Sequence, residues 1–174
     1  VNTVKSWISV LEASFVIFLL QAHHKNFNKR LVKMPKLYFF DTGLACSLLD
    51  IESASQLETH YLTGGLFENF VISELIKNRY NRGLRNNCYF WRDHKGNEVD
   101  CLVEKAQTLI PVEIKSGRTY TKKFLSNLDY WKKISGDEKT EAFLIYGGDN
   151  ETQVGKNRII PWSNIDKFVS QANS

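Results

Sequence analysis

The chain has 174 residues, 43% hydrophobic and 24% charged, which fits a soluble globular protein with one sizeable core and argues against disorder. Its net charge of +4 permits an acidic partner such as nucleic acid without demanding one. Three cysteines without CxxC spacing argue against a disulfide framework or a zinc knuckle, and the apolar run Phe15 to Leu20 is far too short to span a membrane. A cytoplasmic protein with buried reduced thiols and no membrane partner is expected. The chain opens at Val1 and its single methionine is Met34, which points to a piece of a longer protein.

In chain order, Thr3 to Leu11 carries Val4, Trp7, Ile8 and Leu11 at helical spacing. Phe15 to Leu20 is a β-rich run, followed by a basic loop with His23, His24, Lys25, Lys29, Arg30, Lys33 and Lys36, and then by a strand at Leu37 to Phe40. Helix, strand, basic loop and strand suggest the tail of a winged helix, with the loop as its wing. Lys25, Lys29, Arg30 and Lys33 are then candidate phosphate contacts, the alternative being a solvated hairpin tip. His23 and His24 are adjacent, a poor arrangement for joint ligation of one ion. This reading divides the chain into a partial winged-helix segment and linker helix over 1–48 and a second domain over 49–174.

Asp41-Thr42-Gly43 opens a short helix, with Asp41 or Thr42 as N-cap. Ile51 to Leu62 is irregular and in part helical, and Gly64-Gly65 introduces a long helix from about Leu66 to Tyr80. The polar arc of that helix is Asn69, Ser73 and Lys77. Glu68 and Glu74 fall outside this arc, about 120° apart, so each is a candidate for partial burial and the two are not expected to serve one site. Cys88 to Arg92 is a strand, turned by His94-Lys95-Gly96-Asn97 into the next. Thr119 to Lys133 is helix-like, with Phe124, Leu128 and Trp131 at helical spacing and Lys122 and Lys123 as further candidate nucleic-acid contacts near one end. Ala142 to Tyr146 suits a sheet interior, and Arg158 to Trp162 is a last short strand before a helical tail. Trp91 and Trp131 are expected in the core. From about Gly64 the order predicts an α/β or α+β fold with a mixed sheet flanked by helices.

The central stretch is Glu98 to Lys115, EVDCLVEKAQTLIPVEIK. Two β-rich runs flank a short polar break, which reads as a hairpin. Alternation sends Asp100 and Leu102 to one face and Val99, Cys101 and Val103 to the other, and puts Glu113 and Lys115 together on one face. With Ala106-Gln107 as a two-residue loop, paired residue numbers sum to 213 and Asp100 lies across from Glu113. Directly opposed like charges are destabilising, and a bound divalent cation is one compensation. Internal pairing with Arg92 or Lys115 is another.

Asp100 and a later Glu-x-Lys on a strand, behind a helix carrying Glu68, resemble the PD-(D/E)XK nuclease superfamily. More narrowly, KLYFFDTGLACSLL at Lys36 to Leu49, GGLFENFVISEL at Gly64 to Leu75, FWRDHKGNEVD at Phe90 to Asp100 and IPVEIKSG at Ile110 to Gly117 resemble the C-terminal part of AAA+ family ATPases bearing the DUF4143 domain. The resemblance implies a restriction-endonuclease-like core and, in the full-length family, a covalently attached N-terminal ATPase module. It also implies that Asp100 and Glu113 hold Mg²⁺ or Mn²⁺, that Lys115 positions or activates the attacking water, and that Glu68 helps orient the metal shell. Val99 stands where the superfamily's name has proline. No G-x-x-x-x-G-K-[ST] loop occurs, so ATP binding by that route is not expected of this chain. The expected activity is metal-dependent DNA cleavage; the alternative is a non-catalytic DNA- or protein-binding module.

Overall fold

The computed structural model of the chain describes residues 2–25, 27 and 30–173. In chain order the elements are α1 (Asn2–Ala13), β1 (Ile17–Leu20), β2 (Lys36–Phe39), α2 (Thr42–Leu48), α3 (Ala54–Thr59), α4 (Thr63–Asn81), β3 (Cys88–Arg92), β4 (Glu98–Lys105), β5 (Thr108–Lys115), α5 (Ser126–Ser135), β6 (Ala142–Tyr146), β7 (Thr152–Val154), β8 (Asn157–Pro161) and α6 (Ile165–Asn173). A six-stranded mixed sheet has the order β3-β4-β5-β6-β8-β7. The β3–β4–β5 meander is antiparallel, β5, β6 and β8 run parallel, and β7 returns antiparallel at the far edge. Sequence reading missed β7, whose three residues are all exposed and carry no apolar alternation. No helix among the described residues is long and apolar enough to cross a membrane.

Helices cover both faces. On one, Val71, Ile72, Leu75 and Ile76 of α4 and Phe168 and Val169 of α6 pack on Phe90, Cys101, Val112, Phe143 and Ile145. On the other, Leu128 of α5 meets Leu144 and Ile159, while Trp131 packs edge-on against Trp91, with ring centroids 5.4 Å apart. Every residue of β6 is buried, as its continuous apolar run predicts. Cys88 and Cys101 are buried free thiols.

The N-terminal hairpin β1–β2 shares the α4-side core through Phe18, Leu20 and Tyr38. The described residues of its connecting loop lie along β3. Ala22 bridges Phe90, Leu31 bridges Asp93, and the Trp91 indole N–H donates to the Lys25 carbonyl at 2.9 Å. The basic loop therefore covers an edge strand whose backbone groups would otherwise be open to pairing. Lys25, Arg30 and Lys33 keep exposed side chains, and Lys29 lies outside the described residues.

Two of the three residues in the expected polar arc of α4 turn inward, while Lys77 stays partly exposed. Asn69 and Ser73 are buried because α4 is covered by the hairpin as well as by the sheet. The Asn69 side chain accepts from Phe39 N at 2.7 Å and donates to Phe39 O at 3.0 Å and Thr42 Oγ1 at 2.8 Å. The Ser73 hydroxyl donates to Phe70 O at 2.9 Å. Those bonds replace the water that a polar arc would otherwise meet.

Candidate functional site

The β4–β5 register is as the two-residue loop predicts. Pairs run from Cys101–Val112 to Lys105–Thr108, leaving Ala106-Gln107 at the turn, with Ala106 at a φ of 53°, and the ladder ends one position short of the expected Asp100–Glu113 pair. The β3–β4 register is not uniform. Cys88 and Tyr89 pair with Val103 and Leu102, whereas Trp91 and Arg92 pair with Val99 and Glu98, so Asp100 and Cys101 both stand opposite Phe90. A bulge of this kind bends the strand and re-aims a side chain.

The bulge corrects the simple alternation. Val99 and Leu102 pack together with Trp91 and Trp131, while Cys101 and Val103 pack with α4. Asp100 is released from the regular pleat, and its Oδ2 accepts the Ile114 N–H at 2.8 Å, just where the β4–β5 ladder stops. A side chain here takes the donor that a backbone carbonyl takes elsewhere in the sheet.

Four carboxylates gather around this point. Glu68 of α4, Glu98 and Asp100 each offer an oxygen, and the three oxygens lie within 4.8 Å of one another. Glu113 of β5 is linked to them through Lys115, whose Nζ lies 3.4 Å from Asp100 Oδ2 and 2.5 Å from Glu113 Oε1. Asn127 of α5 donates to the same Glu113 oxygen at 2.9 Å, and the buried Glu113 Oε2 has no hydrogen-bond partner among the described residues. From β2, Lys36 Nζ lies 2.9 Å from Glu68 Oε1 and pairs with Glu98 Oε1, and the Tyr38 hydroxyl donates to Glu68 Oε1. Arg92 Nε is 3.6 Å from Glu98. The turn that presents Glu98 is pinned by Asp93, which accepts from Lys95 N, Asn97 N, the Asn97 amide and the Tyr130 hydroxyl. Burial works against that charge, yet the donors outweigh it and hold the Asp93 carboxyl below its usual range.

The electrostatics are those of a crowded acidic site. Burial, then the neighbouring Glu113, pushes Asp100 up to about 7, against the opposing pull of Lys115 and the Ile114 N–H. Burial also raises Glu113 despite its contacts with Lys115 and Asn127. Burial disfavours the Lys115 ammonium, but Asp100 and Glu113 outweigh it and set its pKa above the ordinary lysine value. Lys36 behaves alike, with Glu68 and Glu98 outweighing its burial. Burial and the Glu68 charge raise Tyr38, which keeps its phenol a donor.

Of the residues expected from sequence, Glu68, Asp100, Glu113 and Lys115 come together here. Glu74 instead pairs with Lys77 one turn along the same helix. Lys122 and Lys123 sit exposed in the 3-10 turn before α5. Among the described residues no hydrogen bond or ion pair joins them, or Lys25, Arg30 and Lys33, to the carboxylates. Glu98, Lys36, Tyr38 and Asn127 were not foreseen. Glu98 lies two residues before Asp100 and carried a readable signal; the other three arrive from separate elements.

The donor set suits a hard divalent cation. Four carboxylates meet two ammonium groups and the Arg92 guanidinium, one buried carboxylate oxygen is unpartnered among the described residues, and all the acidic donors are oxygens, the ligands that Mg²⁺ and Mn²⁺ prefer.

Two family models match the chain. The one described as "Domain of unknown function (DUF4143)" matches residues 63–165, and "Domain of unknown function (DUF8612)" matches residues 1–55. Lys36 and Tyr38 thus fall in one matched region and the four carboxylates and Lys115 in the other. The chain is 31% identical over 118 residues to the uncharacterized proteins Rv2008c of Mycobacterium tuberculosis and Mb2031c of Mycobacterium bovis. Each match covers 68% of this chain and 26% of the relative, so the chain spans about a quarter of those proteins. No solved structure gives a significant match.

Proposed function

We propose that this chain, which belongs to the DUF4143 family, is a nuclease-like module of the PD-(D/E)XK type that hydrolyses DNA phosphodiester bonds with Mg²⁺ or Mn²⁺. The observation that carries this reading is the meeting of Glu68, Glu98, Asp100 and Glu113 with Lys115 at the β4 bulge. Asp100 and Glu113 would hold the cation, with Glu68 and Glu98 completing the acidic surround. The cation would neutralise phosphoryl oxygens and make a bound water acidic enough to attack at neutral pH.

The protein's own groups supply the rest. In the metal-free protein Lys115 is held charged by its two carboxylates; beside a bound cation its part would be to orient the phosphate and stabilise negative charge developing on the phosphoryl oxygens. Asn127 and the Ile114 N–H fix the Glu113 and Asp100 carboxylates in place. Lys115 and Glu68 are half-buried, which leaves the cluster open to solvent on one side. As a part of longer AAA+ family ATPases, the module would act on DNA delivered by the attached motor, with the exposed Lys25, Arg30, Lys33, Lys122 and Lys123 as phosphate contacts.

The test is cleavage of supercoiled plasmid and of single-stranded DNA by the purified chain with Mg²⁺ or Mn²⁺. Cutting that Lys115→Ala abolishes supports the proposal; no cutting with either metal, or equal cutting by Lys115→Ala, overturns it. A second reading, a non-catalytic module that grips DNA or protein for the motor, draws on the internal cations Lys36 and Lys115, which already neutralise half of the acidic charge. Its signature is salt-sensitive DNA binding that Glu113→Ala leaves unchanged.

A further inference from the structure

The acidic cluster has two places where a cation can stand, and lysines occupy both. Lys115 stands between Asp100 and Glu113, on a side chain 35% exposed against 25% for Lys36. Lys36 stands between Glu68 and Glu98 and is held differently. Its strand pairs with β1, with Lys36 opposite the fully buried Leu20. Three residues on, Asn69 of α4 clamps both the N–H and the carbonyl of Phe39, which ties β2 to the helix that carries Glu68. The ammonium also lies over the Phe90 ring, 5.5 Å from its centroid.

Glu68 Oε1 is committed twice, to Lys36 and to the Tyr38 hydroxyl, and both donors come from β2. An oxygen surrounded in this way has little capacity left for a metal ion. Yet Glu68 and Glu98, with Asp100, are the three carboxylates whose oxygens approach within 4.8 Å of one another. The hairpin therefore fills with an ammonium the place that the carboxylates alone would offer to a metal.

On the reading that the cluster takes a divalent cation, we propose that Lys36 serves as a built-in second cation, so that the site accepts a single divalent ion on the Asp100–Glu113 side. Removing the ammonium opens a second metal position at Glu68, Glu98 and Asp100. Two-metal sites set their ions about 3.5–4 Å apart to clamp attacking and leaving oxygens together; here the N-terminal hairpin withholds one of them. Lys36 is thus a positioning residue supplied by the region matched by one family model to a site built by the other.

Mn²⁺ titration followed by electron paramagnetic resonance and calorimetry tests this without reference to activity. The probe is Mn²⁺ itself, with the whole chain and the variants Lys36→Met and Lys36→Gln, the second keeping a polar group of similar reach in case the first does not fold. The expected result is a single Mn²⁺ in the parent and a second in the variants, with spin–spin broadening of the paired ions. Equal stoichiometry in parent and variants overturns the role of Lys36 while leaving the metal site standing. No uptake by any of the proteins overturns the metal reading itself, and the inference with it.

Discussion

Replacing Asp100 with asparagine separates the cost of the acidic site from its use. Asparagine keeps an acceptor for the Ile114 N–H and removes one negative charge from a buried position beside Glu113. The folded-state pKa of about 7 lies above the ordinary 3.8, so the native protein holds this proton more tightly than the unfolded chain. The stability that follows is fully present below the unfolded value and is lost as pH rises from about 4 to about 7. At roughly 1.4 kcal/mol per pH unit the loss has a ceiling of about 4 kcal/mol. Even a quarter of that, about 1 kcal/mol, is a Tm difference of about 2–4 °C in a domain of this size. Thermal unfolding of the metal-free proteins should therefore find Asp100→Asn the more stable at pH 8, with the gap closing towards pH 4. Added Mn²⁺ should narrow the gap at pH 8, since an ion at 100 times its Kd stabilises the parent by about 2.7 kcal/mol and finds a weaker site in the variant, and should reverse the order wherever the metal-free gap is smaller than that. A variant no more stable than the parent at pH 8, or a gap that does not narrow on acidification, would mean that the buried Asp100 charge costs the fold nothing.

Other substitutions probe the framework. Asn69→Ala leaves the Phe39 backbone groups without their side-chain partner and should cost about 2–4 kcal/mol in urea unfolding; a loss below about 1 kcal/mol would contradict the clamp between hairpin and helix. A Cβ on Gly147 would meet the Ser116 carbonyl oxygen at 2.2 Å, so Gly147→Ala should lower the unfolding midpoint, whereas Gly65→Ala, with nothing within 4 Å, should be neutral or slightly stabilising. Asn127→Ala removes a donor from Glu113 and should weaken Mn²⁺ binding in calorimetry without changing its stoichiometry; unchanged affinity would show that Asn127 does not hold the carboxylate in its binding pose.

The β4–β5 hairpin was legible because the apolar and polar residues of both strands agree with one register and Ala106-Gln107 leaves only a two-residue turn. The bulge was not, since it arises from pairing with β3: Val99 and Leu102 both satisfy the Trp91–Trp131 cluster, and the chain must gain a residue between them. Glu68 could be read as a buried charge on its helix, but its partners Lys36 and Tyr38 lie in a hairpin whose seating depends on long-range packing. The inward Asn69 failed to declare itself for the same reason. Helical periodicity identifies a polar arc and says nothing of a second element whose backbone needs those polar groups.

A manganese soak of crystals of the whole chain, read by anomalous scattering, shows directly whether the carboxylates at the β4 bulge take up a divalent ion. An anomalous peak is expected at the β4 bulge, within ligand distance of Asp100 and Glu113, with Lys115 moved aside and Lys36 still seated between Glu68 and Glu98. Carboxylates that keep their lysine partners with no peak among them, at Mn²⁺ concentrations that saturate ordinary carboxylate sites, would contradict the proposed cation site.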